Sequence, residues 1–160
     1  MHANLNDNEG TKADVAAGCD PKLYRDACKG NEMAFSFLCL WHEYCHEIDD
    51  IIDERQYIPE RILAVFAHAS VVYSHPFYRQ HAEKLQLVVQ LTTNSYADSI
   101  HWDKSIGWKK QWANVLNLCG IEMVLAVATI CGGYEHMRAL SPRLRQTAWT
   151  THFDDDGNQI

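Results

Sequence analysis

The sequence contains no Cys-x-x-Cys pair, no stretch of strand-like alternation and no excess of basic residues, and each absence excludes a class of protein. The six cysteines stand at positions 19, 28, 39, 45, 119 and 131, several of them on apolar helix faces. This pattern favours buried free thiols in a reducing compartment over a disulfide framework. With 21 acidic against 14 basic residues, the formal charge of -7 gives no support for nucleic-acid binding.

Targeting signals are also missing from the sequence. Met1 to Asn8 are polar and include no basic segment followed by an apolar run, so we predict no signal peptide and a cytoplasmic protein. The most apolar segment, Leu118 to Tyr134, approaches the length of a membrane span but is interrupted by Glu122. We therefore expect a buried helix rather than a membrane span. A carboxylate inside such a helix must be paired, protonated or bound to metal.

What the sequence does contain is a succession of helical patterns. Its 160 residues and 47% hydrophobic content suit one domain with a proper core. We predict an all-α, single-domain helical bundle of five or six helices over residues 21–152. A flexible arm over residues 1–20 is expected to precede the bundle, and an acidic tail over residues 153–160 to follow it.

The helix boundaries follow from proline, glycine and hydrophobic spacing. The predicted helices are 21–29, 32–55, 59–74, 76–102, 108–131 and a short last helix opened by Ser141-Pro142. The helices 32–55 and 108–131 are expected near the centre of the bundle, the latter because it is apolar on nearly all sides. Gly132-Gly133 is expected to end or kink that helix.

Helix 32–55 carries the densest group of ionisable side chains in the chain. One stripe along it holds His42, His46, Asp49 and Asp53, and a neighbouring stripe holds Glu43, Glu47, Asp50 and Glu54. Such a group is typical of a divalent-metal site and also of an ordinary solvated helix face. Like charges on adjacent turns cost about 0.2–0.5 kcal/mol per pair, and a bound cation would offset that cost. We therefore favour a metal site.

Asp49, Asp50 and Asp53 form a D-D-x-x-D pattern whose carboxylates could hold Mg²⁺ or Mn²⁺ ions that neutralise a diphosphate. With Glu54, this segment resembles the first aspartate-rich motif of the class I isoprenoid synthases, particularly the squalene and phytoene synthase branch. The resemblance covers one helix. It implies an all-α fold, a Mg²⁺ cofactor and a prenyl diphosphate as the bound small molecule.

The same resemblance implies a second metal-binding helix, for which Asn94 and Asp98 are the nearest candidates. The acid expected at the next four-residue step is absent, because position 102 is Trp and Asp103 is one residue off. A prenyl diphosphate enzyme would also need a deep apolar pocket below the aspartates. Phe66, Leu91 and Val124 are candidates to line it. Arg143 and Arg145 are candidates to contact the phosphates of the substrate.

A second interpretation of the helix rests on Glu47-x-x-Asp50, an E-x-x-D pair preceded by Glu43. It resembles the all-α, MazG-like nucleotide pyrophosphohydrolases, which use metal-activated water. Glu43 and Glu47 are then the candidate catalytic carboxylates. Because such hydrolases commonly form their cleft at a subunit interface, this interpretation allows a homo-oligomer.

Two further hypotheses remain open at this point. His42-Glu43-x-x-His46 satisfies H-E-x-x-H, in which both histidines bind Zn²⁺ and Glu43 acts as general base of a peptidase. This hypothesis is less favoured because no strand is predicted that could align a peptide. The competing class is a non-enzymatic helical module, an inhibitor or adaptor, that binds a protein partner through its acidic face.

Overall fold

The computed structural model describes residues 21–54 and 57–154, and within these ranges the chain is all-α with no strand. The predicted helical bundle is thereby confirmed. Its helices are α1 (Pro21–Cys28), α2 (Glu32–Asp53), α3 (Pro59–Ser74), α4 (Pro76–Gln80), α5 (Ala82–Trp102), α6 (Trp108–Asn117) and α7 (Ile121–His152). The predicted arm and residues 155–160 of the predicted tail lie outside the described residues.

Local capping explains where α2 and α3 begin. The side chain of Asn31 accepts a hydrogen bond from the Ala34 backbone N–H at 3.0 Å, which satisfies one of the free donors at the start of α2. Pro59 occupies the first turn of α3, where its missing N–H costs nothing. Both starts agree with the sequence prediction.

The predicted helices 76–102 and 108–131 are each interrupted. The backbone of His81, with φ of -120° and ψ of 21°, separates α4 from α5. A 3-10 turn at Leu118–Gly120 separates α6 from α7. α6 exposes Trp108 and Trp112 to more than half of their surface, so the prediction of one central helix over 108–131 was wrong for its first half.

Helix α7 bends once and then continues to His152. Gly133 adopts φ of 81° and ψ of 178° and produces the predicted kink. The prediction that Ser141-Pro142 opens a separate helix was wrong, because α7 runs through Pro142. The neighbouring side chains of Leu140 and Leu144 are buried, and their packing outweighs the single hydrogen bond that a proline removes.

The core is formed by side chains of α1, α2, α3, α4, α5 and α7. Its members with no exposed surface include Phe37, Leu38, Val72, Phe77, Leu85, Met123 and Val127. Glu122 does not belong to it. Contrary to the expectation of a buried carboxylate, the Glu122 side chain is half-exposed and accepts a hydrogen bond from Nη2 of Arg145 at 2.7 Å.

His75, at the junction of α3 and α4, gives the fold a dependence on pH. Its Nδ1 accepts a hydrogen bond from the Phe77 backbone N–H at 3.3 Å, which requires that nitrogen to be unprotonated. Burial lowers the pKa of His75 below its ordinary value of 6.5. A lowered pKa means that the unfolded chain binds the proton more readily. The contribution of neutral His75 is therefore fully present above about pH 6.5 and is lost as the pH falls.

We expect His75→Asn to reduce the loss of stability between about pH 7 and pH 5, since asparagine keeps a side-chain acceptor at this cap but does not titrate. Urea unfolding at several pH values measures the effect. The exposed His101→Asn variant is the control and should lose as much stability on acidification as the original sequence. An equally large loss in His75→Asn would show that His75 is not the source of this pH dependence.

Candidate functional site

A cavity of about 330 Å³ lies between the helices of the bundle, lined by residues of α1, α2, α3, α5, α6 and α7 and of the 3-10 turn before α7. Most of its wall is apolar, and this part includes Trp41, Ile48, Ile121, Val124, Leu144 and Ala148. The ionisable part of the wall comprises His42, His46, Asp49, Tyr96 and His152 together with two thiols and Tyr24, Tyr44 and Tyr73. A mainly apolar cavity of this size with a few convergent polar groups is typical of a small-molecule site.

Asp49 is the carboxylate in the cavity wall. It accepts a hydrogen bond from the hydroxyl of Tyr96 on α5, which orients one of its two oxygens. Burial and the nearby negative charge of Asp49 raise the pKa of Tyr96, so the hydroxyl remains a donor at neutral pH. No spacing rule along the sequence identifies Tyr96 as the partner of Asp49.

Three histidines also lie in the wall of the cavity. The rings of His42 and His46 meet edge to face with centroids 4.3 Å apart, and the Tyr24 hydroxyl lies 3.4 Å from Nδ1 of His42. His152 joins them from the end of α7. Burial lowers the pKa of His152, the nearby His46 lowers it further, and Asp49 partly opposes both effects. No pattern in the sequence places His152 beside His46, because the two residues are 106 positions apart and lie on different helices.

In the second polar stripe of α2, the side chains of Glu47, Asp50 and Glu54 face α3 instead of the cavity. Nη2 of Arg61 lies 3.7 Å from the Asp50 carboxylate, and Nη1 of Arg61 pairs with Glu54. Glu47 lies 3.0 Å from Nδ1 of His68. Part of the acidic face that an adaptor would present to a partner is therefore engaged by α3.

Asp53 is exposed one turn beyond Asp49. Partial burial raises the pKa of Asp53, and the carboxylates of Asp49, Asp103 and Asp50 add to the shift. The end of α2 thus lies in a negative field to which the turn after α5 contributes through Asp103. Such a field attracts cations.

Asn94 and Asp98, the predicted second metal-binding pair, do not face the cavity. Nδ2 of Asn94 donates to Asp98 at 3.3 Å, and Asp98 lines a cleft between α5 and α6. Tyr96, which contacts Asp49, is two residues from both Asn94 and Asp98 and therefore lies about 200° around the helix from each of them. The structure therefore does not bring Asn94 and Asp98 together with the aspartates of α2.

The remaining predicted residues lie outside the cavity wall. Glu43 is exposed while His42 and His46 line the cavity, so the general base of an H-E-x-x-H peptidase would not stand beside both imidazoles. Arg143 pairs with Asp26 at 3.4 Å and Arg145 with Glu122. Of the expected apolar pocket, Val124 lines the cavity, whereas Phe66 and Leu91 are mostly exposed.

No group of three or more His, Cys, Asp or Glu side chains is arranged to hold a metal ion among residues 21–54 and 57–154. The expectations of bound Mg²⁺, Mn²⁺ or Zn²⁺ therefore stay predictions.

Two thiols line the cavity as well. Burial raises the pKa of Cys45 to about 12, with further contributions from Cys119 and Asp49. Burial likewise raises the pKa of Cys119 to about 11, and its Sγ donates to the Thr92 carbonyl at 3.3 Å. Because the thiolate is the reactive form, these thiols serve as wall groups rather than as nucleophiles.

One stretch, Trp108–His152, contains an 18-residue window with mean hydropathy 1.9, long and apolar enough to cross a membrane by length and composition alone. One third of that window is buried inside the bundle, and core helices of soluble proteins pass the same test. The expectation of no membrane span therefore stays a prediction.

The chain matches no protein-family model, no curated protein and no solved structure.

Proposed function

We propose that the chain binds a small molecule with an apolar body and a diphosphate head group, of which a prenyl diphosphate is the simplest example. The apolar body occupies the central cavity. The head group lies toward Asp49 and Asp53, where Mg²⁺ bridges it to the two carboxylates. The observation that carries the proposal is the position of Asp49 in the wall of a mainly apolar cavity of about 330 Å³.

The charges around Asp49 support a cation between ligand and protein. Asp49 and Asp53 are one helical turn apart, and their mutual repulsion contributes to the raised pKa of Asp53. A divalent cation at this point would offset that repulsion and leave coordination positions for diphosphate oxygens and water. Asp50 is not part of the proposed site, because its carboxylate lies against Arg61 on the α3 side.

The proposal concerns binding, and it assigns no catalytic step to Glu43 or Glu47. Glu43 is exposed, and the Glu47 carboxylate is near His68, so neither carboxylate contributes to the cavity wall. For the protein-interaction alternative, Glu43 is an exposed acidic group, whereas Asp50 and Glu54 share an ion pair with Arg61.

The test is thermal unfolding with farnesyl diphosphate and Mg²⁺. At a concentration about 100 times Kd, a ligand that binds only the folded state stabilises it by about 2.7 kcal/mol, which raises Tm by roughly 5–10 °C. Farnesol tests the apolar body alone, pyrophosphate tests the head group alone, and chelation tests the cation. We expect each of these conditions to give a clearly smaller rise.

Matched variants locate the effect. Asp49→Asn keeps the size of the side chain and an acceptor for Tyr96 but removes the charge, so it should lose the Mg²⁺-dependent part of the rise. Asp50→Asn, one residue away on the α3 side, should keep it. Equal behaviour of the two variants, or no rise with any diphosphate, would remove this proposal in favour of the protein-interaction alternative.

A further inference from the structure

A second cleft, of about 290 Å³, lies between α5 and α6, and four of its five lining residues are Trp102, Trp108, Trp112 and Asp98. The fifth is Leu116. We propose that this cleft binds a methylated ammonium group, such as the quaternary ammonium of choline. The proposal is independent of the central cavity and of the function proposed for it.

The turn between α5 and α6 assembles the aromatic walls. The Ser105 backbone N–H donates to the Trp102 carbonyl at 2.9 Å, and Gly107 follows with a positive φ of 64°. This reversal sets Trp108 against Trp102 with ring centroids 5.9 Å apart and planes at 72°. Two indoles at nearly a right angle form a corner, and Trp112 extends the same stripe by one turn of α6.

These indoles are not buried in the way that core aromatic residues are. Trp108 is 60% exposed and Trp112 is 53% exposed. The face of an indole carries negative potential, and cations held within about 6 Å of its centroid are attracted to it. The chain's own Lys109 already lies 5.8 Å from the centroid of the Trp108 ring.

Asp98 favours a ligand of positive charge. It lies one turn before Trp102 at the exposed edge of the cleft, where its carboxylate accepts a hydrogen bond from Nδ2 of Asn94 at 3.3 Å. The negative charge of this carboxylate attracts a cation and gives a neutral ligand no comparable interaction. A bare metal ion would find one carboxylate and three indoles that cannot coordinate it. A methylated ammonium satisfies both the aromatic walls and the charge.

The test uses choline chloride and its neutral isostere 3,3-dimethylbutan-1-ol, followed by NMR of the indole N–H signals of the five tryptophans. Choline should shift the signals of Trp102, Trp108 and Trp112 and leave those of Trp41 and Trp149 unchanged. The isostere, which has the same shape without the charge, should produce no saturable shift. Equal binding of both compounds, or shifts confined to Trp41 and Trp149, would overturn the proposal.

Variants provide a second measurement. Trp112→Leu and Asp98→Asn should each weaken choline binding by about 2- to 30-fold, the range that corresponds to one cation–π contact or exposed charge pair. Tyr134→Leu, which removes an exposed aromatic ring elsewhere, should leave it unchanged. Unchanged affinity in both cleft variants, with the fold intact by circular dichroism, would overturn the assignment.

A vesicle-binding experiment distinguishes a lipid that carries choline from a soluble ammonium compound. Co-sedimentation with phosphatidylcholine vesicles but not with phosphatidylglycerol vesicles would identify a lipid as the ligand. Binding of free choline without co-sedimentation would identify a soluble ammonium compound.

Discussion

Replacement of Phe37 by alanine should lower the free energy of unfolding by about 3–5 kcal/mol, because it opens a void at a fully buried position of the core. Phe37 has no exposed surface. Its ring contacts those of Phe77 and Tyr78 on α4 at centroid distances of 5.6 and 6.0 Å, and that of His75 at 5.8 Å. The substitution therefore weakens the attachment of α4 to α2.

Urea unfolding monitored by circular dichroism measures this effect, and the midpoint temperature should fall by roughly 6–20 °C. Phe66→Ala is the matched control. The side chain of Phe66 is 69% exposed on α3, so the same change of residue should alter stability by no more than about 0.5 kcal/mol. Similar losses in the two variants would show that Phe37 is not a core residue.

A second large effect is expected at the kink of α7. Gly133 has φ of 81° and ψ of 178°, a conformation that is almost exclusive to glycine. Gly133→Ala should lower the free energy of unfolding by about 1–3 kcal/mol, although there is open space around the added methyl group. The cost is backbone strain and not a steric clash.

The matched control is Gly120→Ala, for which the opposite sign is expected. Gly120 has helical torsions, with φ of -55° and ψ of -24°, and a methyl group added there meets no atom within 4 Å. Restricting the unfolded chain should stabilise the fold by about 0.4–1 kcal/mol. Chemical denaturation of the pair measures both values. A loss of stability in both variants would point to a packing cost and against a torsional cause.

The helical fold was predictable because each helix carries local signals that do not depend on its neighbours. Pro59 and the Asn31 cap mark helix starts, and the Gly132-Gly133 pair marks the kink. The errors arose where tertiary packing decides. No residue pattern near His81 predicts the break between α4 and α5. The apolar residues of α6 were assigned to the core although Trp108 and Trp112 face the cleft and solvent.

The candidate site was predictable only on α2, the helix that supplies His42, His46 and Asp49. Helical periodicity separated the stripe of His46 and Asp49, which lines the cavity, from the stripe of Glu47 and Asp50, which faces α3. The aspartate-rich motif combines residues of both stripes, because Asp49 and Asp53 belong to the first and Asp50 to the second. The contribution of His152 depends on a distant helix, so no spacing along the sequence could reveal it.

The packing of α1 against α7 has a consequence for synthesis of the chain. His136 donates to the Ala27 carbonyl at 3.3 Å across 109 residues, and Arg143 pairs with Asp26 across 117 residues. Helix α1, among the first described segments to leave the ribosome, can pack against α2 early, but the surface that α7 provides is missing until the kinked half of α7 has emerged. Contacts of such long separation close late and slow folding. During most of translation the part of α1 that packs on α7 is therefore uncovered, and exposed apolar segments of this kind are what chaperones recognise in nascent chains.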